Sequence, residues 1–132
     1  MGLFDDLENE LLKWCTGQSN LLTAGTPTPY AALFTVAPTD TGGGTEVSGG
    51  SYARVSIVSK FAAPASGQVS NSGIVSWPAA TADWGLIVAY GLFTASTGTA
   101  FRLRWALLPV PKNIYTGDVM SLPVGRFIMG AD

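Results

Sequence analysis

The sequence predicts a mostly β fold: a single-domain antiparallel β-sandwich of jelly-roll or related Greek-key type, preceded by one amphipathic helix. Three observations carry this. Apolar residues recur at helical spacing up to residue 15 and at a spacing of two afterwards. Beyond residue 17 the punctuation is Gly, Pro, Ser, Thr and Asn, the turn formers that join short strands. About eight strand-like runs follow at close intervals, as in sandwiches and small barrels, the barrel being the second architecture. At 132 residues the chain is too short to divide into two cores, so the expected organisation is a helix over 1–16 and a β-sandwich over 17–132.

The helix is predicted over LFDDLENELLKWC, residues 3–15. Leu3, Phe4, Leu7, Leu11, Trp14 and Cys15 share one side, while Asp5, Asp6, Glu8, Glu10 and Lys13 lie mainly on the other. The acids stand towards the N-terminal end and Lys13 towards the C-terminal end, both favourable to the helix dipole, and Gly17 is a suitable stop. A helix this short is marginal in water, so it needs a surface. Two destinations are open: its own sheet, or a neighbouring subunit.

Strands are expected at 30–36, 52–61, 69–77, 86–93, 101–108, 112–115, 119–122 and 126–129. FRLRWALL has the clearest alternation, with Phe101, Leu103, Trp105 and Leu107 assigned to the core and Arg102, Arg104 and Ala106 to the outside. Ala53, Val55 and Ile57 alternate in the same way with Arg54, Ser56 and Val58. The run 86–93 is apolar on both sides and is expected to be central. Trp77, Trp84 and Trp105 lie in or beside apolar strands and read as core, whereas Trp14 belongs to the helix. The Gly-rich connection 37–51 is long enough to be either functional or flexible.

Composition narrows the function. Hydrophobic residues are 47% of the chain and charged residues 12%, about half the charge of an ordinary soluble domain. A surface so poor in charge is covered by small polar residues or by neighbouring subunits. The net charge is −2 and the basic residues are scattered, so no nucleic-acid partner is expected. No apolar stretch is long enough for a membrane span, and the N-terminus starts acidic where a signal peptide starts basic, so assembly in cytoplasm is expected.

Catalytic chemistry finds little purchase. Histidine is absent, which removes the commonest general base, the Ser-His and Cys-His pairs and most zinc sites. Cys15 is alone and closes no intrachain disulfide. The glycines at 42–44, 49 and 50 precede a strand and lack the helix and lysine of a phosphate cradle. Asp40, Glu46, Asp83 and Asp118 sit in expected turns, where local bonds to backbone amides are their ordinary role, and they lack calcium-loop spacing. No enzymatic activity, metal or cofactor is expected.

Three segments together resemble a known family: YAALFTVAPTDTGGGTEVSGGSYARVSI (30–57), WPAATADWGLIVAYGLFTASTG (77–98) and KNIYTGDVMSLPVG (112–125). They are similar to a family of small phage virion proteins usually labelled tail-fibre-like. The most specific words are the run from Gly44 to Arg54, the triplet Asp83, Trp84 and Gly85, and Gly117 with Asp118. The resemblance implies a structural virion component with no catalytic residues. Under it, Glu46, Tyr52, Arg54, Asp83, Trp84, Gly85 and Asp118 are structural motif residues. Glu46 and Arg54 are placed to pair across the Gly-rich turn, and Asp83 and Gly85 to deliver Trp84 into the core.

Two virion roles follow. The first is a capsid decoration or cement protein gripping the major capsid protein, favoured by low charge and a compact single domain without a long shaft; the alternative, favoured by the family label, is a tail or fibre component that helps recognise a host. In both, Leu3, Phe4, Leu7, Leu11, Trp14, Arg102 and Arg104 are the candidate partner contacts, and a homo-oligomer, possibly a trimer, would bury the apolar surface. A reading from another class is a carbohydrate-binding module that uses the 37–51 loop with Tyr30 or Tyr52.

Overall fold

The computed structural model describes residues 2–18, 27–98 and 101–130. The elements in chain order are β1 (Gly2–Leu3), α1 (Asp5–Cys15), β2 (Tyr30–Val36), β3 (Thr45–Glu46), β4 (Val55–Ser56) and β5 (Gln68–Ser70). After them come β6 (Val75–Ser76), β7 (Gly85–Phe93), β8 (Arg102–Ile114), β9 (Ser121–Leu122) and β10 (Ile128–Gly130). The fold is mostly β and antiparallel with one N-terminal helix, as its periodicity predicts. A six-stranded sheet runs β1-β8-β7-β2-β3, with β4 also on β2, and two ribbons pair β10 with β5 and β6 with β9.

The doubly apolar run becomes β7, hydrogen-bonded on both edges and covered on both faces. Ile87, Tyr90 and Leu92 enter a larger cluster with Trp77, Trp84, Ile114 and Phe127, roofed by the ribbons. Ala89 and Phe93 enter a smaller cluster on the opposite face with Phe4, Ala32, Phe34 and Trp105. Trp77, Trp84 and Trp105 are 2%, 6% and 9% exposed, and each indole N–H has an acceptor: Ala31 O at 3.2 Å, Gly50 O at 3.0 Å and Asp40 Oδ1 at 2.9 Å. Those bonds remove the penalty that a buried unpaired indole would carry.

Strand β8 corrects the alternation read from FRLRWALL. The expected strands 101–108 and 112–115 are one strand with two irregularities. Arg102 pairs with Phe93 and Arg104 with Leu92, leaving Leu103 as an extra residue in a bulge that reverses the pleat. Leu103 therefore joins the larger cluster and Trp105 the smaller one on the other face. Ala106 packs inward instead of outward, and Leu107 is exposed. Further along, Leu107 pairs with Ala89 and Lys112 with Ile87, so Leu108 to Pro111 bulge out opposite Val88 alone. Pro109 and Pro111 offer no N–H to a ladder, and this is where the chain tolerates their loss.

The expected strands 52–61 and 69–77 shrink to β4, β5 and β6. Positive φ at Ser51 ahead of β4, and at Ser59 and Ser66 between β4 and β5, turns the chain out of extended geometry. Ala53, expected inward, is exposed, while Val55 and Ile57 do face the larger cluster. The helix starts at Asp5, two residues later than its apolar spacing suggests, because Gly2 and Leu3 pair with Trp105 and Arg104 as a sheet edge.

Candidate functional site

The Gly-rich word TEVSGGSYAR folds into a polar knot on the sheet edge. β3 pairs with the C-terminal half of β2 and β4 with its N-terminal half, and between them the chain leaves the sheet in a turn. Gly49, Gly50 and Ser51 have φ of 76°, 57° and 63°, a left-handed run that explains the paired glycines. The turn brings Tyr52 back so that its hydroxyl accepts the N–H of Leu33 at 3.0 Å and donates to Glu46 Oε2 at 2.7 Å. A phenol thus stands in for the missing strand partner of Leu33.

Arg54 closes the knot. Its Nε and Nη2 donate to the two oxygens of Glu46 at 2.8 Å each, and Nη1 donates to Ala95 O at 3.0 Å. The guanidinium lies 4.2 Å from the centroid of the Phe93 ring, and its side chain is only 6% exposed. A bidentate pair that is this buried and stacked holds far more firmly than a surface ion pair. Trp84 meets Tyr52 edge-on at 5.4 Å and donates to Gly50 O. A side chain at position 50 would come within 2.8 Å of the indole nitrogen, so Gly50 is required for this approach as well as for the turn. Burial, and then the hydrogen bond to Glu46, push the Tyr52 phenol well above its ordinary range.

The remaining motif residues tie two loops together beside the knot. Asp83 accepts from the backbone N–H and the hydroxyl of Thr116 at 2.8 and 3.1 Å, and Asp118 accepts the N–H of Tyr115 at 2.9 Å. Gly85 has φ of 89°, which turns the chain into β7 straight after Trp84 enters the core. Glu46, Tyr52, Arg54, Asp83, Trp84 and Gly85 come together around one corner, with Asp118 across the adjoining turn.

The candidate contact residues separate into two groups. Phe4 is fully buried and 5.9 Å from Phe93, Leu3 is part of the sheet edge, and Leu7 packs against the larger cluster. Arg102 donates to Asp6 Oδ2 at 2.9 Å, and Arg104 donates to Gly130 O. Both arginines, expected to reach outward, are turned into intramolecular bonds by the bulge at Leu103. Asp40 receives the Trp105 indole and lends its carbonyl to Asp5 N at 3.0 Å; the indole bond lowers its carboxyl pKa. Beyond this anchored first turn α1 buries no residue. Leu11 is half-buried, whereas Trp14 is 55% exposed and Leu12, which the one-sided apolar stripe leaves out, is 63% exposed. The adjacent Leu11–Leu12 pair is the sequence signal of that broader stripe.

The carbohydrate reading loses its platform in this geometry. Tyr52 is turned onto Trp84 with its hydroxyl engaged, and Tyr30 is half-buried in β2 between Phe93 and Ser56. Among the described residues, the exposed large aromatics are Trp14 and Tyr115, which lie outside the 37–51 loop.

Residues 2–130 match a family model described as podophage GP4 fiber I protein gp80. No curated protein matches the chain. The family match agrees with the resemblance to small phage virion proteins carried by the three sequence segments. Its description speaks for the tail or fibre alternative and lends no support to capsid cementing, the role that low charge had favoured.

Proposed function

The chain belongs to this podophage fibre protein family and has its place as a structural protein of the phage virion; from that premise we propose that it is a non-enzymatic component of the fibre apparatus. The carrying observation is the family match over residues 2–130. The disposition of polar groups supports the non-enzymatic part. Glu46 is neutralised by Arg54, and Asp83 and Asp118 are engaged with backbone amides, so the motif residues act in folding. Among the exposed apolar residues, Leu12 and Trp14 on the helix and Val110 on the β8 bulge are suited to contacts with other virion proteins. Assembly takes place in the host cytoplasm, with several copies per fibre and a trimer as the simplest symmetric unit.

Immunogold labelling of purified virions with an antibody to the chain tests the reading. Gold at the tail-proximal appendages, and its loss from virions stripped of fibres, is the expected result. Gold distributed over the shell would overturn the fibre assignment and return the capsid-decoration role.

A further inference from the structure

The C-terminal segment 121–130 adds strands only to the two ribbons: β9 pairs with β6 and β10 with β5, and neither joins the six-stranded sheet. Two hollows border β10. A groove of about 730 Å³ is walled by β8 and the β5–β10 ribbon, and a second hollow of about 260 Å³ lies against Ala63 and Gly125. Gln68 and Ile128 line both. The segment is anchored by the buried side chains of Phe127 and Met129 and by the bond from Arg104 to Gly130 O, while Pro123 to Arg126 are exposed.

One further side chain ties it down. Asn71 follows β5 directly and, among the described residues, is the buried polar one, at 2% exposure. Its Nδ2 donates to Leu122 O at 3.2 Å and Pro123 O at 3.0 Å, as well as to Gly73 O at 2.9 Å. Its Oδ1 accepts the N–H of Phe127 at 2.9 Å. The backbone doubles the grip: Asn71 N–H donates to Phe127 O at 3.1 Å, and Asn71 O accepts the N–H of Gly125 at 2.9 Å. An amide supplies donors and an acceptor from one planar group, which a carboxylate of the same shape cannot do. The segment's polar backbone is thus satisfied around a single side chain, and removing that side chain leaves several buried groups without partners at once.

We propose that 121–130 is a strap that opens as a unit while the six-stranded sheet stays folded, and that the Asn71 side chain is the latch that sets how often it opens. Segments held by few anchors and bordered by solvent are the ones that open below the global unfolding free energy. Opening uncovers Phe61 and Tyr90, the rings that Phe127 meets edge-on at 5.2 and 4.7 Å, and leaves β5 without the strand it pairs with. The strap is a property of the folded chain and does not depend on where in the virion the protein sits.

Hydrogen exchange of the full chain, read by mass spectrometry, tests this with two variants. In the parent, amides of 121–130 are expected to exchange through an opening at least tenfold more frequent than that of β7. Asn71→Asp keeps the shape but turns a carboxylate towards the carbonyls of Gly73, Leu122 and Pro123, and is expected to raise exchange in 121–130 a further tenfold or more with β7 unchanged. Asn71→Ser, which keeps one donor, should fall between the two. Trypsin gives a second readout, because the bond after the exposed Arg126 leads into the buried Phe127 and is cut only when the strap is open. Cleavage there should accelerate in the same order. A parent in which 121–130 and β7 open together overturns the strap. Variants that exchange and are cleaved like the parent, or that lose protection in β7 along with 121–130, overturn the latch.

Discussion

The corner around Glu46 and the free end of α1 are built from similar materials and used in opposite ways. At the corner, an arginine, a carboxylate, a tyrosine and a tryptophan complete one another's hydrogen bonds, and the arginine side chain is 6% exposed. On the helix, a leucine and a tryptophan of comparable size stand 63% and 55% exposed, held in place only through the anchored first turn. The lesson is that the strongest sequence words mark the residues that fold the chain, whereas a segment of plain amphipathic character leaves large apolar side chains exposed. The motif residues and the apolar residues left exposed on the helix are different sets.

Removing the tryptophan at the corner makes the sharpest break. Trp84→Ala leaves a cavity beside Tyr52 and frees Gly50 O of a partner, and is expected to lower unfolding stability by about 3–5 kcal/mol in chemical denaturation. A loss below about 1 kcal/mol would show that the corner is not the rigid region.

Next in size is Glu46→Gln. It leaves the buried Arg54 guanidinium without its countercharge at unchanged shape, and a loss of about 3 kcal/mol is expected. If the double variant with Arg54→Met is more stable than Glu46→Gln alone, the cost lies in the orphaned charge and not in lost packing.

Tyr52→Phe is smaller at neutral pH, about 1–2 kcal/mol for two hydrogen bonds, but it carries a pH signature. The folded phenol is held protonated above its ordinary value of 10.0. Above that pH the unfolded chain has released the proton and the folded chain has not, so the unfolded state binds fewer protons and stability falls as pH rises. The parent should therefore lose stability above about pH 10 more steeply than the phenylalanine variant, with a difference approaching 1.4 kcal/mol per pH unit. Parallel profiles in alkaline denaturation would mean that the phenol titrates alike in both states.

The other side of the comparison gives the smallest effect on folding. Trp14→Ser should change stability by no more than about 0.5 kcal/mol, because the side chain contributes little to its own domain. A larger loss in a thermal melt would place Trp14 among the folding residues and erase the contrast.

Much of this arrangement was legible from residue order. The helix, the strand 30–36, the central position of 86–93, the three core tryptophans and the pairing of Glu46 with Arg54 all follow from local periodicity, turn chemistry or motif spacing. Each depends on a pattern contained within a short stretch of chain. The rest was decided in three dimensions. A two-residue strand such as Gly2–Leu3 has no period to read, and it exists because β8 offers an edge at Trp105 and Arg104. The bulge at Leu103 sends Arg102 and Arg104 into internal bonds, since the face a side chain takes is set by its register with β7 and not by alternation alone. Leu12 and Trp14 stay exposed for a related reason: amphipathicity states that a helix needs a partner surface, but only the packed sheet shows that this chain's own surface ends after the first turn.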